Sequence, residues 1–144
     1  MNDFFAVKKN STGEIVRYGN VPSADVSVQA AAGETAYVVN GDVRSDTYYF
    51  VGTTATAKVS LDTVCTLTNT GGWLANGSDT ITYGTALPNP ALVTISCSNL
   101  RFTPINDVLI TDGTLILTTT SPGNYVITFD AFPYLKKFIY VTAT

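Results

Sequence analysis

Tyr125-Val126-Ile127-Thr128-Phe129-Asp130 and Leu92-Val93-Thr94-Ile95-Ser96-Cys97 carry the same pattern. Tyr125, Ile127 and Phe129 share one face, and Val126, Thr128 and Asp130 the other. Val93, Ile95 and Cys97 alternate in the same way with Leu92, Thr94 and Ser96. Successive side chains of a strand point to opposite faces, so a period of two marks sheets with one face buried.

Outward from these stretches the same signal recurs. Ser78 to Gly84, Ile105 to Ile110, Leu115 to Thr118 and Phe138 to Thr142 read as strands, as do Lys58 to Leu61 and Thr63 to Leu67. Breakers stand between them: Gly71-Gly72, Pro88-Asn89-Pro90, Asp112-Gly113 and Ser121-Pro122-Gly123-Asn124. Short strands separated by turns at this spacing predict a β-sandwich over 56–144. The 23 threonines fit, since Thr stiffens strands and offers a hydroxyl to water.

Residues 1–52 read differently. They hold ten of the 19 charges. Phe4-Phe5-Ala6-Val7, the turn Asn10-Ser11-Thr12-Gly13, then Glu14-Ile15-Val16-Arg17-Tyr18-Gly19 predict a hairpin. Pro22 to Ala30 predicts one short helix of about two turns. Thr35 to Val39 and Tyr48 to Val51, around Asn40-Gly41-Asp42, predict a second strand pair. A unit of this size buries little surface alone, so it is expected to lean on the second part or on a partner chain. The small residues Gly52 to Ala57 have no apolar period and predict a linker. The fold class is therefore mainly β: a small N-terminal β unit with one short helix, then an Ig-like β-sandwich.

Composition excludes several functions. Of the 144 residues 13% are charged, against about 25% in average chains. There is no His, hence no Ser-His or Cys-His nucleophile pair and no His-bound metal. A net charge of −3 gives nothing to attract nucleic acid. No apolar run approaches the roughly 18 residues of a membrane helix. Met1-Asn2-Asp3-Phe4-Phe5 has neither the basic nor the apolar region of a secretory signal, so synthesis in a cytoplasm is expected. Cys65 and Cys97 are then expected as free thiols. Asp107 with Asp112, and Asp42 with Asp46, lie at turns, where Asp-Gly and Asn-Gly are ordinary chemistry. No catalytic residue, metal site or cofactor is expected.

Two features stand out as candidate sites. Ala131-Phe132-Pro133-Tyr134-Leu135-Lys136-Lys137 interrupts the last two strands and places Phe132, Pro133, Tyr134 and Leu135 at a hairpin tip. This is either an apolar docking surface or a loop folded back over the core. Trp73, after Gly71-Gly72, is either an aromatic platform for a glycan or a plug on the end of the sandwich.

Two stretches carry a resemblance. Phe4-Phe5-Ala6-Val7, Gly13-Glu14-Ile15-Val16-Arg17-Tyr18-Gly19-Asn20, Gln29-Ala30 and Gly33-Glu34 resemble the start of small proteins encoded among tail genes of tailed bacteriophages. Asp112-Gly113-Thr114-Leu115, Pro122-Gly123-Asn124-Tyr125-Val126-Ile127 and Ala131-Phe132-Pro133-Tyr134-Leu135 are similar to the closing strands of the Ig-like domain those proteins often carry. The resemblance implies a non-enzymatic virion protein, made in the host cytoplasm, in the tail or fibre-attachment region. Its implied partners are other virion proteins (tail, adaptor, fibre or portal subunits) and copies of itself, with no nucleic acid and no membrane. Alternatives are a capsid decoration protein, a glycan-binding Ig-like module on the virion surface, and an assembly chaperone.

Overall fold

The computed structural model describes residues 1–67, 72–83 and 86–144. Gly71 and Gly84, quoted above as a breaker and a strand end, lie outside the described residues. The chain is mainly β and divides into two compact units, Met1–Val59 and Ser60–Thr144.

In the first unit, strands β1 (Asn2–Lys9), β2 (Ile15–Pro22) and β3 (Glu34–Val39) form an antiparallel sheet in the order β2-β1-β3. The central strand explains the run Phe4-Phe5-Ala6-Val7, because it is covered on both faces. Phe5 and Val7 pack with Val26 on one side. Ala6 packs with Ile15, Val43 and Phe50 on the other. The expected β1–β2 hairpin is present.

The expected helix over Pro22 to Ala30 forms as two consecutive 3-10 turns, Ser23–Asp25 and Ser27–Gln29. Asp, Val and Ser are weak helix formers, and a short segment cannot repay helix nucleation. What holds this segment is Val26, buried beneath Phe5 and Val7.

Two expectations for this unit are corrected. First, β3 pairs with β1 rather than with the segment at Tyr48. Second, Gly52 to Ala57 is not a linker. Strands β4 (Tyr48–Val51) and β5 (Thr54–Ala57) pair across the two-residue turn Gly52-Thr53. Gly52 supplies the positive φ of 61° that such a turn takes at its first position. Ala55 lies opposite Phe50 and packs on its cluster, so a small residue does the work of an apolar one. The unit boundary falls at Val59 and Ser60 instead.

The second unit opens without the two strands expected at Lys58 to Leu67. Ser60 caps a 3-10 turn, Leu61–Thr63, by accepting the Asp62 N–H. The remaining strands match the expected positions closely: β6 (Ile81–Tyr83), β7 (Ala91–Cys97), β8 (Ile105–Ile110), β9 (Leu115–Leu117), β10 (Gly123–Asp130) and β11 (Lys137–Ala143). They build a four-stranded sheet, β11-β10-β7-β8, and a two-stranded sheet, β6-β9. One core fills the space between, with Val93, Ile95, Tyr125, Ile127 and Phe129 from the larger sheet and Ile81, Tyr83 and Leu115 from the smaller. These are the alternating faces expected from sequence. The order matches the G-F-C-C′ and B-E sheets of an immunoglobulin sandwich. In that frame β10 is strand F, and Ile127, two residues after Tyr125, stands where antibody domains place a cysteine. Cys65 and Cys97 are free.

Candidate functional site

The hairpin tip between β10 and β11 is built from its base upward. Ala131 is buried and anchors the exit of β10. The Tyr134 N–H donates to the Ala131 carbonyl at 2.8 Å, closing a four-residue turn whose Phe132–Pro133 peptide is cis. Lys136 pairs with Asp130 at 3.2 Å across the mouth of the turn. The far side is tied to the segment that opens the unit. Leu135 forms a parallel bridge with Ser60, and Lys137 Nζ donates to Asp62 Oδ2 at 2.5 Å. The Lys137 hydrogen bond is the chief reason that the Asp62 carboxyl is held below its usual range.

The structure thus brings Phe132, Pro133, Tyr134 and Leu135 together in one turn and then divides them. Tyr134 packs against the sandwich core. Pro133 and Leu135 are half-buried. Phe132 alone reaches the exposed class, at 37%. The apolar surface of the tip is narrow, and much of the turn is folded back on its own unit.

Trp73 is corrected as a glycan platform. Its side chain is 2% exposed, with the indole 4.9 Å from the Tyr125 ring. Its Nε1–H points to the Asp79 carbonyl at 3.4 Å. Its backbone bridges Ala143 of β11 in parallel, and its carbonyl accepts the Thr144 N–H at 2.9 Å. No ring face is left for a sugar, so the plug reading holds.

The carboxylates named from sequence are occupied locally. Asp112 accepts the Thr114 N–H at 3.1 Å, and Asp42 pairs with Arg44 at 2.6 Å. Asp107 has a φ of 50° in β8, where the β7–β8 register shifts. It is stitched to β7 twice: its N–H donates to Thr94 Oγ1, and Thr94 Oγ1 donates to its carboxylate at 3.2 Å. Of the two thiols, Cys65 is buried, and burial followed by the nearby Asp62 charge pushes its pKa up. Cys97 is half-buried and accepts the Asn99 N–H.

A broader apolar surface escaped the sequence reading. It is the outer face of the β11-β10-β7-β8 sheet. Tyr140 lies opposite Val126, and Leu92 opposite Leu109, with Phe138 beside Thr128. Tyr140, Phe138, Leu109 and Leu92 are all exposed. The signal was available in Phe138-Ile139-Tyr140-Val141, where both alternating sets are apolar although only one can face the core.

No family model, no curated protein and no solved structure matches the chain.

Proposed function

We propose that the chain is a non-enzymatic structural component of a tailed-bacteriophage virion, placed in the tail or fibre-attachment region and working through protein–protein docking. The observation that carries this reading is the resemblance of the two stretches bracketing the chain to small tail-gene proteins. Those stretches fall on framework elements, the β1–β2 hairpin and the strands from Leu115 to Leu135. They are not confined to a few site residues that convergence could supply. Two small β units with little charge suit a part whose work is shape and adhesion between subunits. Its partners are other virion proteins and copies of itself.

The test is a quantitative proteomic count on gradient-purified virions, with heads and tails separated. The expected result is the chain in the tail fraction at a fixed multiple of the portal protein. Recovery with heads alone would replace this reading with capsid decoration. Absence from particles, with abundant protein in the infected lysate, would overturn it.

A further inference from the structure

The widest apolar surface of the second unit is the outer face of its four-stranded sheet. Along β11 the outward positions are Phe138, Tyr140 and Thr142, and along β7 they are Leu92, Thr94 and Ser96. An ordinary one-sided sheet shows water a polar row at such positions. Here Tyr140 is 76% exposed and Leu109 55%. Single exposed apolar side chains need no explanation, but a contiguous set on one rigid face does.

Three observations identify what covers it. The first is charge. A two-fold interface sets the same patch of both copies together, so any unpaired charge meets its own like. Only Asp130 and Asp107 bring charge to this face, both at its margin. Asp130 is paired with Lys136, and Asp107 is bonded to Thr94. The centre, around Val126 and Tyr140, is neutral.

The second is the sheet's edges. β8 is bulged at Asp107, with a left-handed φ of 50°, and β11 is bridged by Ser60 and Trp73. Neither edge offers a clean ladder for strand addition, which leaves contact through the face.

The third is size. A standard interface buries about 800 Å² per partner. Leu92, Leu109, Phe138 and Tyr140 alone leave on the order of 400 Å² in solvent, at about 200 Å² for a whole large side chain. The Thr and Ser residues between them bring the face close to that size.

We propose that two copies of this chain pair through the outer faces of their four-stranded sheets, with Phe138 and Tyr140 as anchors. Aromatic anchors in a Thr- and Ser-lined surround have the composition of a binding hot spot. The pairing does not rest on the virion reading, and the two fail separately: particle proteomics tests location, and the purified chain in solution tests pairing.

The experiment is sedimentation velocity on the full chain from about micromolar to about 100 μM, since interfaces of this size reach at least micromolar affinity. The expected result is a concentration-dependent dimer. Tyr140→Lys and Leu109→Lys, at different places on the face, should each weaken it at least about tenfold, because like charges are brought together. Val28→Lys, on an exposed residue of the first unit, should leave it unchanged. Near-ultraviolet circular dichroism checks that the variants keep their packing, and Tyr140→Ser serves if the lysine variant does not fold. A wild-type chain that stays monomeric throughout, or a dimer that both face substitutions leave intact, would overturn the proposal.

Discussion

Tyr125 donates its phenolic O–H to the carbonyl of Ser121, four residues upstream, at 2.7 Å. The same oxygen lies 2.7 Å from Thr119 Oγ1, which in turn accepts the Ser121 N–H at 3.0 Å. The ring is almost wholly buried, so these bonds close the turn between β9 and β10 from inside. A tyrosine at the start of strand F bonded to the backbone just upstream is the tyrosine corner of immunoglobulin-type sandwiches. Here it fixes where β10 enters the core.

Removing that hydroxyl leaves the Ser121 carbonyl and the buried Thr119 without their partner. Tyr125→Phe keeps the ring contacts with Trp73 and Phe102 and deletes only the bonds. The expected loss is about 1–3 kcal/mol of unfolding free energy, the cost of a buried polar group left unpaired. Urea denaturation reads it directly. Tyr140→Phe, on an exposed hydroxyl, is the comparison and should change stability by less than about 0.5 kcal/mol.

The first unit has its own critical contact at Gly13. This residue has a φ of 79°, and its carbonyl accepts the Phe50 N–H at 2.8 Å. A Cβ there would lie 2.2 Å from the Phe50 carbonyl oxygen, a backbone atom that cannot swing away. Gly13→Ala should therefore cost about 2–4 kcal/mol, adding steric displacement of β4 to left-handed strain. Gly33→Ala has a similar φ of 80° but open space around it, and should cost about 1 kcal/mol. Similar values for the two substitutions would show that the Gly13–Phe50 contact does not hold the hairpin in place.

How far the sequence carried this fold depended on where each residue's partners lie. Strands β7 and β10 were legible because period two over six residues is a local signal, and burial on one face is its direct cause. The hairpin at Gly52-Thr53 was not. Thr54-Ala55-Thr56-Ala57 has no apolar period, and its strand character comes from pairing with Tyr48–Val51. Cys65 and Leu67 suggested a strand by alternation, yet they are buried from a capped 3-10 turn and the segment after it. The candidate tip was located correctly, but whether Tyr134 points out or in is decided by core space that no local pattern records. Trp73 illustrates the same limit: a Gly-flanked Trp reads as a loop, while its bridge to Ala143 comes from the far end of the chain.

That bridge makes Trp73 a reporter of the sandwich. It is the only tryptophan, so the chain's indole fluorescence is its own. In the folded protein, emission should be blue of free tryptophan and weakly quenched by acrylamide, and should move red on unfolding. Trp73→Ala should destabilise the second unit by about 3–5 kcal/mol, as large aromatic truncations in cores do. Any loss of glycan signal in that variant should follow the loss of fold. Strong acrylamide quenching in the native chain would contradict the burial.

Stability should also have an alkaline limb. Burial raises the Tyr83 phenol above its ordinary 10.0, and no described residue bonds its buried hydroxyl. Burial likewise raises Tyr125 above 10.0, against the lowering effect of the Thr119 hydrogen bond. Cys65 is raised above 9.0 by burial and by Asp62. All three groups are neutral when protonated, so the folded state holds these protons more tightly than the unfolded chain. Above the unfolded values the unfolded chain has fewer protons bound, and stability must fall as pH rises. The urea midpoint should lose nothing to these groups up to about pH 9 and then decline, first with Cys65 and then with the tyrosines. Cys65→Ala should remove the earliest part of the decline. Ultraviolet titration gives the independent check, since Tyr83 and Tyr125 should ionise only as the chain unfolds. Their ionisation at the ordinary pH in the intact protein would mean that the β6 and β10 hydroxyls are open to water.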